Sequence, residues 1–192
     1  MKTIKTKGAI IAFCLVCFAF LEGSAQFTMG PRVALNFTNF QKESKMQPGF
    51  DAGLFFRVGK RFYFQPEVNY SFKSSTFKDA VNEVETNYKL KNHYLDIPLL
   101  LGFKIVNKNN FNFRLFIGPR MGILLSKNFP TNYESGTLQW GGEAGLGIDF
   151  WRFAFDFKYD FSSNKVKNIS AESATYWKQN MFVLSLGFKI FK

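Results

Sequence analysis

The segment Phe153-Ala154-Phe155-Asp156-Phe157-Lys158-Tyr159-Asp160-Phe161 alternates aromatic residues with small or charged ones. Successive side chains of a β-strand point to opposite faces, so this period of two predicts a strand with one apolar and one polar face. The same alternation recurs along most of the chain beyond residue 26. It predicts eight strands, at residues 27–37, 50–58, 62–72, 95–105, 111–123, 138–150, 153–161 and 182–190.

Charged residues follow the same alternation. Fourteen of them fall within the eight predicted strands, and all fourteen take the phase opposite to the apolar residues. Each predicted strand is also close to the 9–11 residues that a tilted strand needs to cross a bilayer. The fourteen comprise seven cations and seven acids: Arg32, Arg57, Lys104, Arg114, Arg120, Lys158 and Lys189, with Asp51, Glu67, Asp96, Glu143, Asp149, Asp156 and Asp160.

Two architectures explain this alternation. A soluble sandwich or lipocalin buries the apolar face, whereas a membrane barrel turns that face toward lipid. The predicted connections alternate strictly between long and short, which is typical of outer-membrane barrels with short periplasmic turns. The long links are residues 39–49, 73–92, 126–137 and 162–179, and the short ones are 59–61, 106–110 and 151–152.

The balance of charge on the polar face also favours a membrane barrel. The interior of an eight-stranded barrel is just wide enough to be filled by side chains, and charges there must be paired. We therefore predict an all-β fold, an eight-stranded antiparallel up-and-down transmembrane β-barrel with a side-chain-filled lumen. The turns place Asp96 directly opposite Arg120 and Glu143 diagonal to Lys158, and we predict that one or both of these pairs form lumen salt bridges.

Apolar residues and glycines in the inward phase, and aromatic residues near strand ends, are not explained by the two-face pattern alone. Some residues in the inward phase are apolar, and Leu100 and Phe116 are expected to pack within the lumen. Glycines in the same phase are expected to make room for long cationic side chains. Aromatic residues near strand ends are assigned to interfacial girdles. The inward apolar residues are Phe55, Leu100, Phe116, Leu124 and Val183, and the girdle residues are Tyr63, Tyr70, Trp140 and Trp151.

Residues 1–25 form a predicted cleaved secretory signal peptide, which leaves residues 26–192 as one outer-membrane β-barrel domain. Three lysines precede an apolar run from Gly8 to Leu21, and cleavage is expected after Ala25. This run is shorter than the roughly 20 apolar residues of a membrane-spanning helix. Both cysteines lie inside it, so disulfides and thiol chemistry are excluded from the processed chain, whose formal charge falls from +11 to +9.

The sequence predicts no catalytic, cofactor-binding or metal site. His93 is the single histidine, and nothing in the sequence pairs it with Ser74, Ser75, Ser126 or Asp79 as a lipid-modifying enzyme would require. The glycine-rich segment 141–147 lies within an alternating strand with no helix after it, so it is not a phosphate-binding loop. The excess positive charge is split between both ends of the barrel, which argues against a nucleic-acid partner.

Three segments carry a family resemblance: residues 65–73, Tyr94-Leu-Asp-Ile-Pro-Leu-Leu-Leu-Gly-Phe103, and residues 118–125. They resemble the PorT-like outer-membrane β-barrel family of Bacteroidota, across essentially the whole chain after residue 25. The resemblance implies the fold and an outer-membrane location. Because the family's named member belongs to the type IX protein secretion apparatus, it also implies a secretion role, although most similar barrels have no assigned activity.

We therefore expect a small, non-enzymatic outer-membrane barrel whose long loops contact partners or lipopolysaccharide. A component of a type IX secretion apparatus and a lipid-modifying enzyme are the alternatives, and an open porin is disfavoured by the balanced lumen. The expected partners are outer-membrane lipid and lipopolysaccharide, the barrel-insertion machinery and secretion-system proteins.

Overall fold

The computed structural model describes residues 26–40, 47–81, 84–126, 133–135, 138–168 and 174–191, and the side chains of 26–37, 48–73, 92–126, 138–161 and 180–191. The predicted signal peptide lies outside the described residues. The strands are β1 (Phe27–Phe40), β2 (Gln47–Val58), β3 (Phe62–Val81), β4 (Val84–Asn107), β5 (Phe111–Ser126), β6 (Tyr133–Ser135), β7 (Leu138–Phe150), β8 (Phe153–Asn168) and β9 (Ala174–Phe188).

The strands form one closed antiparallel barrel. Each long strand pairs with the next long strand along the chain. β6 lies between β5 and β7 in the sequence, but β5 pairs directly with β7. The circle closes because β9 pairs with both β8 and β1. The three-residue β6 lies outside this circle and pairs only with the end of β8. The eight-stranded up-and-down barrel predicted from the alternation is therefore confirmed.

The apolar face of every long strand points outward. Leu99 is 41% exposed and Ile117 is 61% exposed, whereas Arg114 is 0% and Asp160 is 1% exposed. A soluble lipocalin would show the reverse, since its apolar residues would fill the interior. The outward apolar band therefore faces lipid, and the charged residues fill the lumen.

Two of the predicted long links are largely strand. The residues predicted as the link 73–92 continue β3 to Val81 and begin β4 at Val84, with an unbroken register between them. Likewise, much of the predicted link 162–179 belongs to β8 and β9. The alternation of hydrophobicity ends where the wall leaves the lipid, so the sequence pattern marked the membrane boundary and not the ends of the strands.

The predicted register between β4 and β5 is wrong by two residues. Pro98, and not Asp96, lies directly opposite Arg120, while Asp96 faces Gly122. The cause is the turn, which is three residues long at 108–110 where five were predicted, together with an irregularity between Lys104 and Val106. Asp96 and Arg120 are consequently diagonal neighbours on the lumen face.

Three prolines lie on adjacent strands in the middle of the wall. Pro66 is in β3, Pro98 in β4 and Pro119 in β5, and a proline has no N–H to donate to a strand ladder. Strand pairing is interrupted at three places. Residues 56–57 of β2 have no register partner on β3, residues 67–68 of β3 do not pair with residues 97–98 of β4, and residues 99–100 of β4 do not pair with residues 118–119 of β5. These interruptions form a continuous diagonal across the wall, which we call the proline seam.

A charged lumen as the candidate functional site

All fourteen charged residues assigned to the polar face are buried in the lumen, each with 7% or less of its surface exposed. The alternation of the sequence brings them together because every second residue of all eight strands points to the same interior. The structure adds one cation to the predicted set. Lys73, assigned above to a long link, is 3% exposed and points into the lumen because β3 continues through it.

The periplasmic layer of the lumen, next to the short turns, is organised by Arg114. Its Nη2 lies 2.8 Å from Asp149 Oδ1 and 2.6 Å from Asp156 Oδ1. Asp149 Oδ2 also accepts a 2.8 Å hydrogen bond from Arg57 Nη1. Because each carboxylate lies against a guanidinium, the desolvation penalty of these buried charges is offset by short, charge-assisted contacts.

The middle layer is organised by Glu67, which is fully buried. Its carboxylate accepts hydrogen bonds from Arg32 and from Lys158, whose Nζ lies 2.8 Å from Glu67 Oε2. Lys158 Nζ also lies 3.1 Å from Glu143 Oε2. The predicted Glu143–Lys158 ion pair is therefore confirmed, with Glu143 directly opposite Asp160 and diagonal to Lys158.

The extracellular layer is organised by Asp96. Its Oδ2 lies 2.8 Å from Lys73 Nζ and 3.1 Å from Arg120 Nη1, and Arg120 Nη1 is also 2.9 Å from Asp160 Oδ2. The predicted Asp96–Arg120 ion pair is thus confirmed although the predicted register is wrong, because a guanidinium spans the diagonal between neighbouring strands.

Apolar and aromatic side chains close the space between the charged layers. Tyr63, Leu100 and Phe116 form a buried cluster, which confirms that Leu100 and Phe116 pack within the lumen. Tyr63 was assigned to an interfacial girdle, and this assignment is wrong. The residue is 3% exposed, and its ring centroid lies 5.1 Å from Arg57 Cζ. Tyr63 takes the inward phase of β3, and this phase, rather than the residue type, indicates its place in the lumen.

Glycine makes room for one of the large cations, as expected. A side-chain carbon added at Gly147 would come within 2.7 Å of Arg114 Nη2 and 2.3 Å of Asp156 Oδ1. At Gly102 the neighbouring group is different, since an added carbon would meet the ring of Tyr63. At these two positions, the missing side-chain carbon leaves space for a large neighbour, which is cationic at Gly147 and aromatic at Gly102.

His93 lies on the wall of the barrel and not in the lumen. Its Nδ1 is 2.5 Å from the hydroxyl of Tyr70, and its ring packs against Phe72. Ser126 is its register partner on β5, but no hydrogen bond joins the two side chains among the described residues. The side chains of Ser74, Ser75 and Asp79 lie outside the described set.

Neither a metal-binding cluster nor a helical membrane span occurs among the described residues. In the part of the chain that the structure describes, no cluster of three or more histidine, cysteine or acidic side chains is arranged to hold a metal ion. No helix among the described residues has the length and hydropathy of a membrane span.

A closed barrel with an apolar exterior and an ion-paired interior defines an integral outer-membrane protein. The family model for the outer membrane protein beta-barrel domain matches residues 22–168, and the chain belongs to this family. No curated protein matches the chain. The protein is located in the outer membrane, as the strand pattern predicted.

Solved structures with similar folds are outer-membrane barrels of low sequence identity. OprG from Pseudomonas aeruginosa is 13% identical, with a TM-score of 0.55, and the match covers 88% of this chain and 96% of that one. Neisserial surface protein A is 11% identical, with a TM-score of 0.49 and coverage of 88% and 100%. Ail of Yersinia pestis, in complex with the heparin analogue sucrose octasulfate, is 14% identical, with a TM-score of 0.47 and coverage of 88% and 100%.

Proposed function

We propose that this barrel is a non-enzymatic anchor whose extracellular hairpins contact lipopolysaccharide. The supporting observation is that two hairpins continue as paired strands well beyond the lipid-facing band. β3 and β4 have 20 and 24 residues, whereas β7 has 13. At roughly 3.3 Å per residue, the additional length carries the β3–β4 hairpin beyond the hydrocarbon of the bilayer.

The sequence of these hairpins supports an anionic partner. Positions 78, 89 and 91 on the β3–β4 hairpin, and 165, 167 and 178 on the β8–β9 hairpin, continue the alternation phase of the lipid-facing residues. Lysines occupy these six positions, Glu85 is the one acid in that phase of the two hairpins among the described residues, and the other residues there are uncharged. Measured along the strands, the β8–β9 lysines lie about 7–20 Å beyond the level of Phe161. Their distance along the membrane normal is shorter because barrel strands are tilted.

Lysines at these positions would attract the anionic phosphate groups of lipopolysaccharide. A lysine near an anionic membrane surface contributes about 1 kcal/mol to attraction. A triple Lys165→Gln, Lys167→Gln, Lys178→Gln variant is therefore expected to bind lipopolysaccharide at least tenfold more weakly in nanodiscs. The matched control removes three cations from the opposite side, Lys60→Gln, Arg61→Gln and Arg152→Gln. Equal binding by both variants would contradict the proposal.

The alternative role is in protein secretion, as a PorT-like component of a type IX secretion apparatus. Its support is the resemblance carried by residues 65–73, 94–103 and 118–125. The filled lumen argues that such a role would use the outer surface of the barrel and not a pore through it. Deletion of the gene tests this role directly, because unchanged secretion of exported proteins would exclude it.

The lipid-modifying alternative has little support from the surroundings of His93. The hydroxyl of Tyr70 is hydrogen-bonded to Nδ1 of His93. A histidine that acts as general base in an acyl-transfer reaction needs a nucleophile within about 3 Å of a ring nitrogen. A His93→Ala variant is expected to leave the lipid A of the host unchanged by mass spectrometry. Loss of a lipid A species in that variant would instead support an enzyme.

A further inference from the structure

The periplasmic mouth of the barrel contains a cavity of about 440 Å³. It lies among the short turns, which face the periplasm in outer-membrane barrels. Its volume falls in the range of small-molecule sites. The cavity is lined by Gln26, Lys60, Asn107, Lys108, Asn109 and Asn112, none of which belongs to the ion-pair layers of the lumen.

The turns around this cavity carry charge of one sign. The three short turns, residues 59–61, 108–110 and 151–152, contain four cations and no acid. Lys60 and Lys108 belong both to these turns and to the cavity lining. Two flexible ammonium groups at the rim of one polar cavity are suited to an anionic ligand.

The lumen beneath the cavity has an excess of the same sign. Its periplasmic layer has four cations and two acids, whereas the extracellular layer has two cations, Lys73 and Arg120, and three acids, Asp51, Asp96 and Asp160. The interior is therefore polarised along the barrel axis, with its positive end at the cavity. The four cations are Arg57, Lys104, Arg114 and Lys189, and the two acids are Asp149 and Asp156.

Two buried polar groups adjoin the cavity. Lys104 is 4% exposed, and its Nζ donates a 3.4 Å hydrogen bond to Oε1 of Gln26, a lining residue. Among the described side chains, no carboxylate forms a salt bridge with Lys104. Asn112 is 8% exposed and lines the cavity with its side-chain amide, whose nitrogen is a hydrogen-bond donor. A buried ammonium that lies beyond salt-bridge distance of a carboxylate carries a desolvation penalty that a bound anion would help to offset.

We propose that this mouth is a binding site for a small phosphate-bearing anion. Lys60 and Lys108 hold the phosphate oxygens at the rim, and Lys104 supplies attraction from below. The side-chain amide nitrogens of Asn107 and Asn112 donate the remaining hydrogen bonds to phosphate oxygens. Phosphate fits better than a monocarboxylate because two ammonium groups line the cavity and a third lies beneath it, and a multivalent anion balances them with a single group.

The test uses inorganic pyrophosphate and the full-length barrel purified from outer membranes in detergent. Titration calorimetry at constant ionic strength is expected to show binding that sodium chloride does not reproduce. The double variant Lys60→Gln, Lys108→Gln is expected to weaken that binding at least tenfold. Both residues lie in exposed turns, so the variant is expected to fold, as its heat-modifiable migration in gels would show. Arg152→Gln is the matched control, since it removes a cation from a neighbouring turn outside the cavity.

The same titration in nanodiscs separates the two sources of phosphate. At an ionic strength that screens the lipid charge, a site for a free phosphate compound binds pyrophosphate equally in phosphatidylcholine and in phosphatidylglycerol nanodiscs. A site occupied by lipid headgroups binds it more weakly in phosphatidylglycerol, because the lipid competes. Wild-type binding no stronger than the effect of matched salt, or equal binding by the double variant, would overturn the proposal.

Discussion

Arg114 shows how a fully buried charge is tolerated in this barrel. Its guanidinium contacts Asp149 and Asp156 and donates a 3.3 Å hydrogen bond to the Tyr63 hydroxyl. Its planar, multiply donating group suits several partners at once, which a lysine ammonium could not reproduce with the same geometry. This residue is therefore expected to be the most sensitive position of the periplasmic layer.

Removal of Arg114 alone should destabilise the barrel strongly. An Arg114→Met variant removes the guanidinium that Asp156 contacts, whereas Asp149 keeps Arg57 and Lys189 as partners. Breaking such a buried pair costs about 3–5 kcal/mol. The measurement is the free energy of unfolding in urea with lipid vesicles. The double variant Arg114→Met, Asp156→Leu is expected to lose less than the single one, since it removes an orphaned charge. A double variant that loses the sum of both single effects would contradict this coupling.

The lipid-facing assignment predicts a dependence on depth. A Leu99→Arg variant places a charge in the apolar band, at a position that is 41% exposed, and should cost about 2–4 kcal/mol if near the bilayer midplane. The same substitution at Leu125, which is 54% exposed near the extracellular end of β5, should cost about 1 kcal/mol or less. Equal losses at both sites, measured by reversible unfolding in lipid, would contradict the orientation.

The sequence predicted the facing of individual residues well. A period of two assigns a phase to every residue of a strand, and phase alone decides between lipid and lumen. Lys73 was missed because the apolar alternation weakens after Phe72, although β3 continues to Val81. The sequence did not predict which cation meets which acid, because that depends on registers set by turns of unknown geometry.

At the scale of strands, the proline seam is the irregular feature of the wall. Pro66, Pro98 and Pro119 remove three donors from adjacent strands, so neighbouring amides lose the protection that continuous ladders give. Elsewhere, such as between β8 and β9, the register is unbroken over fifteen pairs. Amide exchange is therefore expected to be uneven around the barrel.

Hydrogen exchange measures this expectation. The amides of residues 67–68 and 99–100 should exchange at least tenfold faster than those of residues 155–159, which lie in the unbroken register between β8 and β9. A Pro119→Val variant restores a donor at a lipid-facing position and should slow exchange at its neighbours. Uniform protection around the whole barrel would show that the seam has no effect on local opening.

For the whole molecule, the layered lumen predicts the absence of ion conduction. Ion pairs and the Tyr63–Leu100–Phe116 cluster fill the interior over its described length. A barrel of eight strands has space for side chains only, whereas porins of 16–18 strands leave an aqueous channel. The purified protein in planar bilayers is expected to give no discrete current steps at concentrations where a porin conducts. Reproducible single-channel steps would contradict the closed lumen.

The partners inside the lumen are far apart along the chain. Arg57 and Asp149 are separated by 92 positions, and Glu67 and Lys158 by 91. A hairpin that crossed the hydrocarbon alone would carry these charges without their counterions, which is unfavourable in lipid. The order of assembly is therefore constrained. The two halves of the sequence must meet in a hydrated or machinery-bound state, and the wall must seal as the protein enters the membrane rather than afterwards.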